Sequence, residues 1–152
     1  MSATAATNVQ EAVTVDNPVG LRFGTVARGT LGGAITINAR TGAVSTVGDV
    51  VAIPSPRGRA EIRTTGPVGA LMVYSGDPVV TMTRQGGTEE LIAMLTYAPG
   101  SGLANVSVLG SGLSLRTTGP EQTVLVGGQL VVAPDTLEGQ YVGTFEVTAQ
   151  FL

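Results

Sequence analysis

Short runs in which apolar and polar residues alternate follow one another along the whole chain, and nearly every run is closed by a turn former. A period of two is the repeat of a strand whose faces look in opposite directions. With 22 Gly and 8 Pro spread over 152 residues, few stretches are long enough for a stable helix. The pattern predicts strands over Val9–Val15, Leu21–Ala27, Ala34–Ala39, Ala43–Val47, Val50–Ile53, Ala60–Thr64 and Ala70–Tyr74 in the first half. It predicts Val79–Thr83, Leu91–Tyr97, Val106–Leu109, Leu113–Thr117, Thr123–Val126, Leu130–Val132 and Gln140–Leu152 in the second, several of them joined across bulges. Turns are expected at Asn17-Pro18, Gly32-Gly33, Pro54 to Gly58, Gly86-Gly87, Pro99 to Gly102, Gly127-Gly128 and Pro134-Asp135, where Pro fixes φ or Gly permits a positive one. The expected class is all-β, a sandwich or barrel.

Glu89 to Tyr97 has good helix formers behind a Thr88 cap, but Leu91, Ala93, Leu95 and Tyr97 also line one face of a strand, and the strand is the preferred reading. Arg63-Thr-Thr-Gly-Pro67 recurs as Arg116-Thr-Thr-Gly-Pro120. The repeat could mark two equivalent corners, but coincidence in a Thr/Gly/Pro-rich chain is the preferred reading, since nothing around it repeats at a solenoid period.

The segment Gln140–Leu152 carries the longest alternation: Tyr141, Gly143, Phe145, Val147, Ala149 and Phe151 fall on one side, Gln140, Thr144, Glu146, Thr148 and Gln150 on the other. A strand buried on one face needs hydrogen-bonded neighbours at both edges. One edge can be covered by the chain's own strands. The sequence read here ends at Leu152, so the other edge is expected to accept a strand from elsewhere.

Composition narrows the chemistry. The length suits one domain that buries roughly two thirds of its surface. Charged residues are 12% against a typical value of about 25%, and a net charge of −3 with eight scattered arginines makes no basic stripe for nucleic acid. Cys and His are absent, and all the basic residues are Arg. This removes thiolate nucleophiles, disulfides, the commonest metal ligand and general base, and lysine Schiff bases or crosslinks. Carboxylates alone are left for acid–base work: Glu89-Glu90, Asp135 with Glu138, and Glu11 with Asp16, all in or beside expected turns and read as solvated loop charges. Calcium loops and phosphate cradles of recognisable form are missing. The chain is therefore expected to be neither an enzyme nor a cofactor protein.

Asn105-Val-Ser107 matches the glycosylation pattern and is read as coincidence. The aromatics, with Phe145 and Phe151 among them, are read as core or groove residues rather than a sugar platform. No apolar window is long enough for a membrane helix, and the strands are too short and the aromatics too few for a transmembrane barrel. The first seven residues lack the basic and apolar regions of a signal peptide, so one is either absent or already removed.

Leu21-Arg-Phe23-Gly24-Thr-Val26, Gly127-Gly128-Gln-Leu130-Val-Val132-Ala-Pro134 and Gly139-Gln-Tyr141-Val-Gly143-Thr-Phe145-Glu-Val147 together resemble a bacterial pilin-like family of unknown function. That family is akin to spore-coat-U and archaic chaperone–usher pilins, and the resemblance spans about Val9 to Leu152. It implies an incomplete immunoglobulin-like β-sandwich completed by donor-strand exchange, with residues 1–9 as the N-terminal donor extension and 10–152 as the pilin-like domain. The donor would present Ala3, Ala5 and Val9 to a neighbour. The acceptor groove would be lined by Leu21, Phe23, Tyr141, Phe145, Val147 and Phe151.

The function implied is that of a fimbrial subunit, a structural element of an extracellular, cell-surface filament that serves adhesion or biofilm. Its partners would be identical subunits in a homopolymer, with a periplasmic chaperone and an outer-membrane usher on the export route. Shaft is favoured over tip, since a tip adhesin normally carries a second domain. The alternative is a monomeric secreted or surface binding module recognising a glycan or protein through the loops Pro54–Arg59 and Pro99–Leu103.

Overall fold

The computed structural model describes residues 14–109 and 112–151, and it is all-β. Its strands are β1 (Thr14–Val19), β2 (Thr25–Ile37), β3 (Val44–Ile53), β4 (Ala60–Thr65), β5 (Leu71–Gly76) and β6 (Val79–Arg84), then β7 (Glu90–Pro99), β8 (Leu103–Leu109), β9 (Gly112–Thr117), β10 (Glu121–Val132), β11 (Tyr141–Val142) and β12 (Val147–Phe151). They form two antiparallel sheets. The eight-stranded one runs β1-β4-β10-β7-β6-β11, with the β2–β3 hairpin joined to β10; the four-stranded one runs β12-β5-β9-β8. The sheets enclose one core, so of the two architectures the alternation allows the chain adopts the β-sandwich.

Each core strand contributes alternate residues. Ile35 and Ile37, Ala60 and Ile62, Val124 and Val126 face inward from the larger sheet, and Met72 and Tyr74, Leu113 and Leu115, Val147 and Ala149 from the smaller; all are buried. Each large apolar side chain removed from water in this way contributes about 1.5–3 kcal/mol.

Three expected turns lie inside strands instead. Asn17-Pro18 falls within β1, where pairing with β4 shifts register between Asp16 and Val19. Gly32-Gly33 lies in β2 beside a register shift against β3, with Gly32 at φ 70°. Gly127-Gly128 sits in the middle of β10, which joins the two shorter runs expected there. A Cβ on Gly127 would come within 2.2 Å of the Ile37 carbonyl oxygen, and one on Gly128 within 2.4 Å of that of Met94. These glycines permit close backbone approach, a use of Gly that local sequence does not separate from a turn. Glu90–Pro99 is strand β7, where pairing on both edges overrides helix propensity.

The C-terminal alternation is divided. Tyr141 and Val142 pair with Arg84 and Thr83 of β6 in the larger sheet, whereas Val147–Phe151 pair with β5 in the smaller one. Asp77 makes the crossing. Its amide donates to the Glu146 carbonyl (3.0 Å), and its Oδ2 accepts from the Glu146 amide (2.8 Å).

Both Arg-Thr-Thr-Gly-Pro segments lie at one end of the sandwich and bond to each other. The Gly66 amide donates to the Pro120 carbonyl (3.0 Å), and the Thr117 hydroxyl donates to that of Pro67 (2.7 Å). The repeat is thus a pair of neighbouring corners.

Candidate strand-docking edge

Strand β12 has apolar Val147, Ala149 and Phe151 turned into the core and Thr148 and Gln150 turned outward. Tight packing holds the inner row. A Cβ on Gly66 would lie 2.0 Å from Cζ of Phe151, so the ring rests on the backbone of the first corner. Val147 to Phe151 pair with Gly76 to Met72 in unbroken register. Among the described residues no strand pairs with the other edge of β12.

The Asp77–Glu146 bond fixes which groups that edge presents. Opposed residues in an antiparallel ladder alternate between bonded and non-bonded pairs, so Thr148 and Gln150 direct their backbone groups to β5. Val147, Ala149 and Phe151 direct theirs to the open side.

Edges that must not pair are usually interrupted by bulges, Pro or charge. Strand β1 contains Pro18 and a register shift, and β8 is shifted against β9 between Ala104 and Ser107. Strand β3 carries Gly48 at φ 78° followed by Asp49, and β11 is two residues long. Strand β12 has no such interruption: Val-Thr-Ala-Gln-Phe holds no charge, Pro or Gly.

Behind this edge lies a buried polar relay. Tyr74, opposite Ala149, hydrogen-bonds the Thr64 hydroxyl, which donates to Oε1 of Gln122 at 3.1 Å; Nε2 of Gln122 donates to the Gly119 carbonyl at 2.6 Å. Burial pushes the Tyr74 hydroxyl up to about 12, because the phenolate would be desolvated, with the Thr64 bond acting in the opposite sense. Tyr97, whose hydroxyl donates to the Asp77 carbonyl at 2.7 Å, is also raised, chiefly by burial and further by the Asp77 charge.

Tyr74 therefore stabilises the fold fully below pH 10, where it is protonated in both states. Above pH 10 the unfolded chain ionises first, and stability falls until about pH 12. The shift corresponds to about 2–3 kcal/mol. We expect thermal melts of the wild type to drop steeply across this window and those of Tyr74→Phe to drop less. Equal alkaline slopes would remove Tyr74 from the account.

The structure joins Phe23, Val147 and Phe151 in one buried cluster, with Leu21 and Phe145 packed against it. Tyr141 is placed elsewhere. It lies on β11 of the opposite sheet, with its hydroxyl donating to the Leu137 carbonyl at 2.8 Å. Ala3, Ala5 and Val9 lie outside the described residues. Gly66, Met72 and Tyr74 support the edge but were not singled out from sequence; the Gly66–Phe151 contact spans most of the chain and leaves no local signal.

Other candidate chemistry is sparse. Glu89 is bound by Arg84, a hydrogen bond that holds its carboxyl below the usual range, while Glu90, Asp135 and Glu138 are exposed. Among the described residues no cluster of three or more metal-ligating side chains occurs, and no helix is long and apolar enough to cross a membrane. The arginines of the Pro54–Arg59 loop are engaged internally: Arg57 donates to the carbonyls of Phe23, Thr25 and Ile53, and Arg59 to those of Ala39 and Arg40.

Comparison with curated proteins and with solved structures gives no match. A family model, domain of unknown function DUF4402, matches residues 13–151. With nearly all of its length inside that match, the chain belongs to the DUF4402 family.

Proposed function

We propose that this protein is the structural subunit of a bacterial pilus or related surface filament, in which an N-terminal segment of one copy pairs along β12 of the next. The observation that carries the reading is the regular, uncharged edge of β12, unpaired among the described residues and lying directly over the core. An incoming strand would meet the backbone groups of Val147, Ala149 and Phe151, a mode in which main-chain bonds give affinity and alternate side chains give register. The resemblance to pilins supports the donor assignment to residues 1–9, with Ala3, Ala5 and Val9 facing the groove.

Those side chains are small. At about 25 cal/mol per Å² their burial yields only a few kcal/mol, so backbone pairing, about 1 kcal/mol net per bond, carries much of the affinity. Export through the periplasm with a chaperone shielding the edge, and an outer-membrane usher as assembly site, fits an edge that would otherwise pair too early.

Deleting residues 2–9 should abolish polymers seen by negative-stain microscopy. A synthetic peptide of those residues should then bind the truncated subunit. Intact filaments after the deletion would refute the donor assignment.

A further inference from the structure

The sandwich also has an exposed apolar feature on the sheet that does not contain β12. On the outer side of the eight-stranded sheet, Val47 of β3 opposes Ala34 of β2, and Ala34 opposes Val131 of β10. Val131 lies beside Ile92 of β7, one step past the paired Leu130 and Ala93. In the next row Gln129 opposes Met94, and Met94 opposes Val79 of β6. Val47 is 67% exposed, Ile92 56%, Val131 54%, Met94 52% and Val79 43%. A solvated outer face normally alternates to polar residues here. A contiguous apolar stripe across five strands is the kind of surface that marks a contact.

Charge is distributed unequally on either side of this stripe. Beyond Met94 and Thr96 a shallow concavity of about 440 Å³ is bordered by Arg40. Beyond Ile92 and Val131 another, of about 490 Å³, is bordered by Glu89, Glu90 and Asp135. Glu89 is neutralised by Arg84, but Glu90, Asp135 and Arg40 are exposed and form no ion pair among the described residues. The face thus has a basic end, an apolar middle and, with Glu90 and Asp135 outnumbering the exposed Arg28 that donates to the Thr136 carbonyl, an acidic end along the strand direction.

We propose that this face is a self-complementary contact between two copies of the chain, packed face to face with their strands reversed. A two-fold axis along the row Val47, Ala34, Val131 and Ile92 places each of these residues against its own counterpart and sets the Arg40 end of one copy toward the Glu90 and Asp135 end of the other. This is the arrangement an isologous interface requires, and complementary rim charges fix its orientation. The contact uses the sheet opposite β12, so it joins subunits laterally and does not depend on strand exchange.

The chain has no cysteine, which allows a direct test on the full-length protein. Ile92→Cys should crosslink to a covalent dimer under mild oxidation, because the two Ile92 positions face each other across the axis. Val68→Cys, exposed on the β4–β5 loop away from this face, should not. By sedimentation, Arg40→Glu should weaken dimerisation about tenfold, and adding Glu90→Arg to it should restore most of the loss. Each variant changes an exposed residue, and circular dichroism checks its fold. Crosslinking of Ile92→Cys no greater than that of Val68→Cys, a dimer indifferent to the charge reversal, or binding of the stripe to lipid vesicles without dimer formation would each overturn the proposal.

Discussion

Replacing Ala149 with proline should leave a folded subunit that, on the proposed mode of joining along β12, no longer assembles. Ala149 lies in the middle of β12, and the alternation set by the Asp77–Glu146 bond turns its amide away from β5. Proline removes that amide hydrogen and no bond among the described residues, and edge strands tolerate Pro when its nitrogen faces outward. The ring must fit where Ala149 is fully buried, costing about 1–3 kcal/mol, so the melting temperature should fall by several degrees. Assembly should fall at least tenfold, since one bond is lost in the centre of the donor ladder and the ring obstructs its neighbours. Microscopy of filaments beside a melt of the isolated subunit separates the two effects. Normal filaments from a destabilised subunit would show that β12 is not where copies join.

Gly127→Ala should be among the most damaging single-methyl changes in the sandwich. Strand β10 has β7 along one edge and both β4 and β2 along the other. A Cβ at 127 would stand 2.2 Å from the Ile37 carbonyl oxygen and 2.6 Å from the Ala39 amide nitrogen. Both obstacles are backbone, so no side chain can turn aside; β2 must move from β10 and lose ladder bonds. The expected cost is more than about 3 kcal/mol, a large part of a single domain's stability. Urea denaturation should show a much lower midpoint, or the protein should be recovered unfolded. A midpoint within experimental error of the wild type would mean that β2 and β10 are not held as close as described.

How much of this was legible beforehand differs between elements. The period of two located the buried rows: Ile35 and Ile37, Leu113 and Leu115, and Val147, Ala149 and Phe151 all face the core as their alternation indicates. Turns at Pro54 to Gly58, Gly86-Gly87 and Pro134-Asp135 lie where Pro and Gly fix or free φ locally. Gly32-Gly33 and Gly127-Gly128 look the same in one dimension yet lie inside strands, because their reason is a neighbouring chain passing close by. The candidate edge was legible as an amphipathic segment with apolar residues at 147, 149 and 151, but its division from Tyr141 was not. That break depends on Asp77, which is remote in sequence and bonds the backbone of Glu146.

Alternation and glycine and proline spacing by themselves determined an all-β chain and its buried rows, and the lack of Cys, His and Lys determined which reactive side chains it does not carry. These are properties of each residue and its nearest neighbours. Which sheet each strand joins, which edge stays unpaired among the described residues and which apolar residues form a stripe on the outside were decided by tertiary structure alone. Backbone hydrogen bonds carry no side-chain label, so a strand's partners are chosen by how the sheets close around a shared core.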